Sequence, residues 1–216
     1  RWIEFDNAYK TMDTTYMESV WWALKTFWDK GLVYEGRKVL LYCPRCETPI
    51  SKFEVAMDNS YEEVTEIAVT VKFKLHPRQK IGEWTTDDTS YMLAWTTTPW
   101  TLPGNVALAV GDDVEYVIVK NRKAEPADTD EVYILARERL QELLGDAYTI
   151  LGTVTGEKLR GLTYEPLYEI PAVKATGKRS HYVASADFVT TEEGTGIVHT
   201  AVVYGEDDYN LGLKEG

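Results

Sequence analysis

From Ile67 onward the chain is cut into short stretches in which apolar and polar residues alternate. This pattern limits the fold more than any other feature of the sequence. Ile67, Val69, Val71, Phe73 and Leu75 alternate with Ala68, Thr70, Lys72 and Lys74, the two-residue period of a strand with one face buried. Further strands are expected over Ser90 to Thr96, Val106 to Val110, Val114 to Lys120, Glu131 to Leu135, Pro166 to Val173, Tyr182 to Val189 and Gly196 to Ala201. Strands this short and closely spaced, with few helices between them, predict an α+β, mainly β fold: a barrel-like domain with peripheral helices.

The first quarter has a different period. Met17, Val20, Trp21, Leu24 and Phe27 recur at spacings of three and four, predicting a helix from Asp13 to Lys30, with Asp13 or Thr14 as cap and Gly31 as terminator. After it, Tyr42-Cys43-Pro44-Arg45-Cys46 forms a compact turn and Pro49 interrupts pairing. The expected organisation is an N-terminal helix and connecting arm over 1–56 and a β domain over 57–216, with a boundary near Met57. A second helix is expected from Ala136 to Leu144, ending at Gly145, and Asn121 to Asp130 reads as a polar loop containing Pro126.

Hydrophobic residues at 44% and charged residues at 27% of the 216 match a folded chain rather than a disordered one. No apolar run reaches spanning length and Arg1 to Lys10 lacks a signal core, so neither a membrane nor a targeting segment is expected and the chain reads as cytoplasmic. The start at Arg1 and the close on Leu213-Lys214-Glu215-Gly216 read as those of an excised, C-terminally truncated piece. A formal charge of −12 argues against general nucleic-acid binding, because affinity for phosphate backbones rests on clustered Lys and Arg.

Chemistry concentrates in two segments. Within Thr96 to Asn105 stand the hydroxyls of Thr96, Thr97, Thr98 and Thr101 and the amide of Asn105, on a chain bent by Pro99 and Pro103. Such hydroxyls donate and accept, which suits a ribose hydroxyl, an ester carbonyl or a positioned water. The alternative is a strand whose threonines reflect propensity, followed by a turn. The second segment runs from Gly194-Thr195-Gly196 through His199 to Asp207 and Asp208. It lacks the third glycine and the following helix of a dinucleotide fingerprint, and its glycines instead turn the chain into a strand. At the helix start beyond, one of Asp207 and Asp208 is expected to be an N-cap, while a carboxylate held in a pocket would receive an ammonium group. His199 by itself suggests a hydrogen-bonded structural residue more than a catalyst. Cys43 and Cys46 have the spacing of half a tetrahedral zinc site; either the other pair lies elsewhere or the turn is only structural.

Taken together, Trp95-Thr96-Thr97-Thr98-Pro99-Trp100-Thr101-Leu102-Pro103 and Gly194-Thr195-Gly196-Ile197-Val198-His199-Thr200-Ala201, with Gly205 and Asp208, resemble the editing insert of isoleucyl-tRNA synthetases. The runs Tyr9 to Asp13 and Met17 to Trp22 and the knuckle before Pro49-Ile50-Ser51 are similar to the same family, so the resemblance covers nearly the whole chain. It implies post-transfer editing, an aminoacyl-tRNA deacylase that hydrolyses the ester of mischarged Val-tRNA(Ile) and has no amino-acid-activating site of its own. It further implies that Asp208 holds the α-ammonium and that Thr97, Thr98 and Asn105 hold the terminal adenosine and the attacking water. Thr96, Trp100 and Thr101 shape the pocket, and His199 borders it and excludes isoleucine. The implied partners are the 3′ end of tRNA(Ile) and the remainder of the synthetase. No cofactor is needed for hydrolysis; zinc at Cys43 and Cys46 would require a second cysteine pair from the longer enzyme. Where the family has proline after Ala201 this chain has Val202. The competing readings are a non-catalytic tRNA-docking fragment and a valyl-type editing domain acting on Thr-tRNA, the latter disfavoured by Trp100.

Overall fold

A computed structural model describes residue 6 and residues 8–122 and 131–216. Most of the stretch from Arg1 to Lys10, and the expected polar loop beyond Arg122, lie outside the described residues. The chain divides into two compact units, Arg1–Lys38 and Val39–Gly216.

The first unit contains α1 (Thr14–Asp29), with Asp13 at its N-cap in extended conformation. It ends as its glycine predicts: Gly31 takes φ 67°, its N–H donates to Trp28 O, and Leu32 N donates to Phe27 O. Only a residue tolerating positive φ closes a helix with this pair of bonds. No α1 residue is buried.

The second unit opens with a hairpin, β1 (Leu41–Cys43) against β2 (Thr48–Ile50). Pro49 pairs with Tyr42 in it and does not break it, since a two-stranded ribbon leaves one side of each strand where a missing N–H costs nothing. Ser51 and Glu54 form a capping box on the short α2 (Lys52–Val55). The strands β3 (Val69–Lys74), β4 (Lys80–Ile81), β5 (Trp84–Thr85) and β6 (Ser90–Thr96) follow. A 3₁₀ turn over Pro99–Gly104 leads to β7 (Ala107–Val110), β8 (Glu115–Asn121) and β9 (Val132–Ala136). The expected second helix is a 3₁₀ turn running into α3 (Leu140–Leu144), stopped by Gly145 at φ 57°. Then come β10 (Tyr148–Thr155), α4 (Pro171–Ala175), β11 (Tyr182–Ser185), β12 (Ile197–Thr200) and α5 (Glu206–Glu215).

The expected barrel does not close. One sheet has the order β10-β8-β9-β6-β3, with its terminal strands β10 and β3 not paired to each other; a second has the order β11-β7-β12. Between β3 and β11 the segment around Tyr164 makes the isolated bridges Leu75 with Tyr164 and Thr163 with Tyr182 rather than a continuous strand. The core lies between the two sheets instead, joining Met92, Ile118 and Ile134 of the larger to Leu108, Val110, Val183 and Ile197 of the smaller. Residues of opposite parity, Leu93, Val117, Val119, Tyr133 and Leu135, face the other way and are covered by Leu140 of α3. Each fully buried aliphatic side chain contributes about 1.5–3 kcal/mol relative to exposure, so the inner strands β8, β9 and β6, buried on both faces, anchor the larger sheet.

One other expectation fails for a local reason, and one strand lies where none is expected. Pro166 to Val173 is not a strand: Pro171 sits in the first turn of α4, where its fixed φ suits a helix and its missing N–H is not needed. Tyr148–Thr155, which shows no clean alternation, is the edge strand β10, with a register shift between Ile150 and Gly152. No helix among the described residues is long and apolar enough to cross a membrane.

Candidate functional site

The threonine segment begins where β6 runs out. Thr98 N–H donates to Thr96 Oγ1 at 3.0 Å, folding the chain back, and Pro99 then opens the 3₁₀ turn. Thr101 closes that turn twice, its N–H and its Oγ1 both donating to Thr98 O. Both readings of the threonines therefore hold in part, since Thr96 ends a strand while Thr98 and Thr101 build the bent loop after it. Asn105 then leads into β7, which pairs antiparallel with β12 so that Leu108 lies opposite His199 and Ala107 opposite Thr200. This register brings residues almost a hundred positions apart into contact.

Glycines make that register possible. Gly194 and Gly196 have φ 68° and 71°, and a Cβ on Gly196 would lie 2.3 Å from Ala136 Cβ. The turn therefore packs directly on β9, where Thr195 O accepts from Ala136 N–H. The Gly-Thr-Gly segment serves backbone approach, as its sequence context requires.

His199 is 8% exposed, Asn105 5% and Thr101 7%, and their hydrogen bonds admit one proton arrangement. Asn105 Nδ2 donates to Ala107 O at 2.9 Å and faces His199 Nδ1 at 3.2 Å. A carbonyl only accepts, so the amide nitrogen points that way and His199 Nδ1 must be the bare, accepting nitrogen. His199 Nε2 therefore carries the proton and donates to Thr101 Oγ1 at 2.8 Å. Thr101 passes its own proton to Thr98 O at 2.8 Å, and Tyr164 OH donates to Asn105 Oδ1 at 2.7 Å. Burial lowers the His199 pKa below its ordinary value, which keeps the ring neutral. Arranged this way, the Thr101–His199 pair is not an activated nucleophile with its base, because the imidazole nitrogen facing the hydroxyl is already protonated.

Asp208 approaches from the other side. Gly205, not an aspartate, is the N-cap of α5, and Asp207 and Asp208 lie in its first turn. Asp208 Oδ2 accepts from Ala201 N–H at 3.2 Å, tying α5 to the end of β12. Despite Val202, the loop thus delivers Asp208 beside His199. Burial raises the Asp208 pKa, only partly offset by the Ala201 N–H, and Asp208 makes no salt bridge among the described residues.

These groups line one cavity of about 340 Å³, bounded by Trp95, Thr96, Thr98, Trp100, Thr101, Val198, His199, Tyr204 and Asp208. Six of the residues singled out in the sequence therefore converge: Thr96, Thr98, Trp100, Thr101, His199 and Asp208. Thr97 is exposed and is not part of the lining; Asn105 is buried behind His199 with its amide committed to the network. Sequence reasoning assigned no site role to Trp95, Val198 and Tyr204 of the wall or to Tyr164 behind it. Trp95 and Tyr204 had usable signals, one an aromatic directly before the threonines and the other directly before the glycine that starts a helix. The cavity combines an uncompensated carboxylate, hydroxyls and aromatic walls, which suits a small apolar side chain carrying a nearby ammonium.

Another cavity of about 290 Å³, lined in part by Val106, Val173, Tyr182, Val202 and Leu211, is predominantly apolar. At the hairpin, Cys46 N–H donates to Cys43 Sγ at 3.4 Å and lowers the Cys43 pKa, an arrangement suited to a thiolate ligand. No cluster of three or more potential metal-binding side chains occurs among the described residues.

Residues 1–193 match the family described as tRNA synthetases class I (I, L, M and V). The chain is 45% identical over 213 residues to an isoleucine–tRNA ligase of Clostridium novyi, covering 99% of this chain and 18% of that protein. It is 46% identical over 215 residues to the Clostridium tetani ligase, covering 100% and 19%. The Treponema denticola ligase is 41% identical over 235 residues, covering 98% and 21%. The chain thus spans about a fifth of the length of these relatives. Its fold is similar to the crystal structure of GlLeuRS-CP1, with a TM-score of 0.50 and 18% identity, covering 67% of this chain and 58% of that one.

Proposed function

The chain belongs to the class I tRNA synthetases, and from that premise we propose that its threonine-lined cavity is an editing site, an ester hydrolase that removes valine from mischarged Val-tRNA(Ile). The observation that carries the proposal is the pairing, in one cavity, of a half-buried carboxylate lacking a cation with hydroxyls held in fixed orientation. Asp208 receives the α-ammonium of the attached residue, whose positive charge relieves the desolvated carboxylate. Thr98 and Thr101, with Thr97 at the exposed part of the loop, position the terminal adenosine and the attacking water. Asn105 contributes from behind, through His199. The ester is already activated and a tRNA ribose hydroxyl can assist, so no strong protein base is needed.

The need for such a site is physical. One methylene changes binding in a hydrophobic pocket by only about 1–3 kcal/mol, a limit for which isoleucine against valine in this enzyme is the established illustration. A second pocket that admits only the smaller residue supplies the missing discrimination. His199 suits that part: pinned at both nitrogens, it makes an unyielding wall. The same reading places the chain in the cytoplasm, within a larger synthetase that carries the aminoacylation site. It also gives Cys43 and Cys46 half of a zinc site whose other thiolates come from elsewhere in that enzyme. The Cys46 N–H to Cys43 Sγ bond fits that use, and no step of the hydrolysis passes through the metal.

Incubating the chain with Val-tRNA(Ile) and Ile-tRNA(Ile) tests the proposal. The expected result is faster loss of valine, abolished by Asp208→Ala. Equal loss of both amino acids, or loss indifferent to Asp208→Ala, rules it out. Binding of tRNA with no deacylation would mark a docking fragment, and preferential hydrolysis of Thr-tRNA a valyl-type site.

A further inference from the structure

Tyr164 lies on neither of the segments that line the cavity. Its backbone N–H donates to His181 O, and its ring is fully buried, edge-on to Phe73 at 5.4 Å between centroids and to His181 at 5.8 Å. Packing alone would be served equally by phenylalanine. Among the described residues the hydroxyl has one partner, Asn105 Oδ1 at 2.7 Å, and burial pushes the phenol far above its ordinary pKa, so it remains a donor at every physiological pH.

That one bond begins a directed series. Tyr164 OH donates to Asn105, Asn105 Nδ2 donates to His199 Nδ1, His199 Nε2–H donates to Thr101 Oγ1, and Thr101 Oγ1–H donates to Thr98 O. The Asn105 amide gives its second proton to Ala107 O, so the carboxamide is fixed at its nitrogen by Ala107 and at its oxygen by Tyr164, and this orientation sets the direction of the rest of the series. The two outer members have different surroundings: Tyr164 is enclosed by core, whereas Thr98 and Thr101 line the cavity.

We propose that Tyr164 is a positioning residue of the editing site: its hydroxyl clamps the Asn105 carboxamide, which holds His199 as the Nε2–H tautomer and so orients the Thr101 and Thr98 oxygens towards the substrate. This role rests on the hydrolytic reading of the cavity. Without the hydroxyl, Asn105 Oδ1 is buried with no partner, a state costly enough that the carboxamide shifts to find one. Its grip on His199 Nδ1 then loosens, the ring loses its single tautomer, and the hydroxyls at the cavity lose their fixed direction. Substrate can still reach Asp208, so binding survives while turnover slows.

Tyr164→Phe keeps the ring and removes only the oxygen. The chain has three histidines, so with ¹⁵N-labelled histidine the protonated and bare nitrogens of each ring can be assigned individually. In the unaltered protein His199 should show a protonated Nε2 and a bare Nδ1. In Tyr164→Phe the two nitrogens should move towards averaged values, kcat for Val-tRNA(Ile) should fall about tenfold, and KM should stay within about twofold. Phe73→Leu is the matched control: it loosens packing on the same ring without touching the hydrogen bonds, so it should lower the melting temperature and leave both the His199 signals and kcat unchanged. The role is overturned if His199 and kcat are indifferent to Tyr164→Phe, or if Phe73→Leu alters both as much. A tautomer change in a protein with no deacylase activity would refute the hydrolytic reading, and the positioning role with it, while leaving the clamp itself observed.

Discussion

His199 and Asp208 stand nine positions apart in sequence and face the same cavity, yet their environments differ in kind. His199 sits on a central register of β12 with each ring nitrogen paired, one as acceptor and one as donor, and burial keeps it uncharged. Asp208 sits in the first turn of a peripheral helix, with a single backbone N–H on one oxygen and burial acting against its charge. One group is complete without a ligand and the other is not. In the proposed editing site this difference separates shape from attraction: the satisfied histidine and its threonines would give fixed geometry, and the desolvated carboxylate affinity for a cation. Groups kept in unfavourable environments are common at functional sites, where a ligand supplies what the fold withholds.

Replacing Asp208 with asparagine should break this contrast most sharply. The amide oxygen can still accept from Ala201 N–H, so the loop holds. Removing a buried charge that lacks a counter-ion should leave the melting temperature unchanged or raised. Loss of the partner for an ammonium should cost about 2–5 kcal/mol in binding of an aminoacyl ligand, read by calorimetry. A fall in stability together with unchanged binding would reverse the roles assigned to the two residues.

His199→Leu should do the opposite. It fills similar space but leaves one Asn105 Nδ2 proton and the accepting side of Thr101 Oγ1 without a partner in the interior, which should cost about 1–3 kcal/mol of stability in denaturant titration. Affinity for the ammonium should be affected less than by the change at Asp208. Stability equal to that of the unaltered protein would mean the network contributes nothing to the fold.

The smallest effect is in the pH dependence, where the two groups act with opposite sign. His199 has a folded pKa below its ordinary 6.5. The unfolded chain therefore takes up the proton first, and its contribution to stability is present above 6.5 and lost as pH falls. Asp208 has a folded pKa above its ordinary 3.8. Its ionised form costs stability above that raised value, and the cost disappears as pH falls towards 3.8. Melting curves from neutral to mildly acid pH should therefore show His199→Leu with a shallower acid decline than the unaltered protein and Asp208→Asn with a steeper one. Identical slopes in all three would contradict the account.

Much of this arrangement was legible beforehand. Ser90 to Thr96 was readable because it is a strand bounded by turns, and α1 because its period and Gly31 agree. The cavity's chemistry is readable in its threonines, His199 and Asp208, but which residues face it and which stand behind is not. One of Asp207 and Asp208 is as plausible a cap as Gly205 because caps are local, and which residue takes that place depends on where β12 ends. The burial of Asn105 behind His199 is a consequence of the β7–β12 register, which no local pattern specifies. Tyr164 had no signal at all, since a tyrosine chosen for its hydroxyl and one chosen for its ring are identical in sequence. Barrel closure failed for a related reason. Alternation reports strands, but whether the outer ones meet depends on their order, and here β10 and β3 end apart.

The central claim is that this cavity admits valine on an adenosine and turns isoleucine away, with Asp208 as the point of attachment. Calorimetric titration of the chain with non-hydrolysable amide mimics of valyl- and isoleucyl-adenosine measures this directly. The account predicts that the valyl mimic binds, that the isoleucyl mimic binds at least about tenfold more weakly, and that Asp208→Asn removes the valyl signal. Equal binding of the two mimics, or valyl binding that persists in Asp208→Asn, would contradict it.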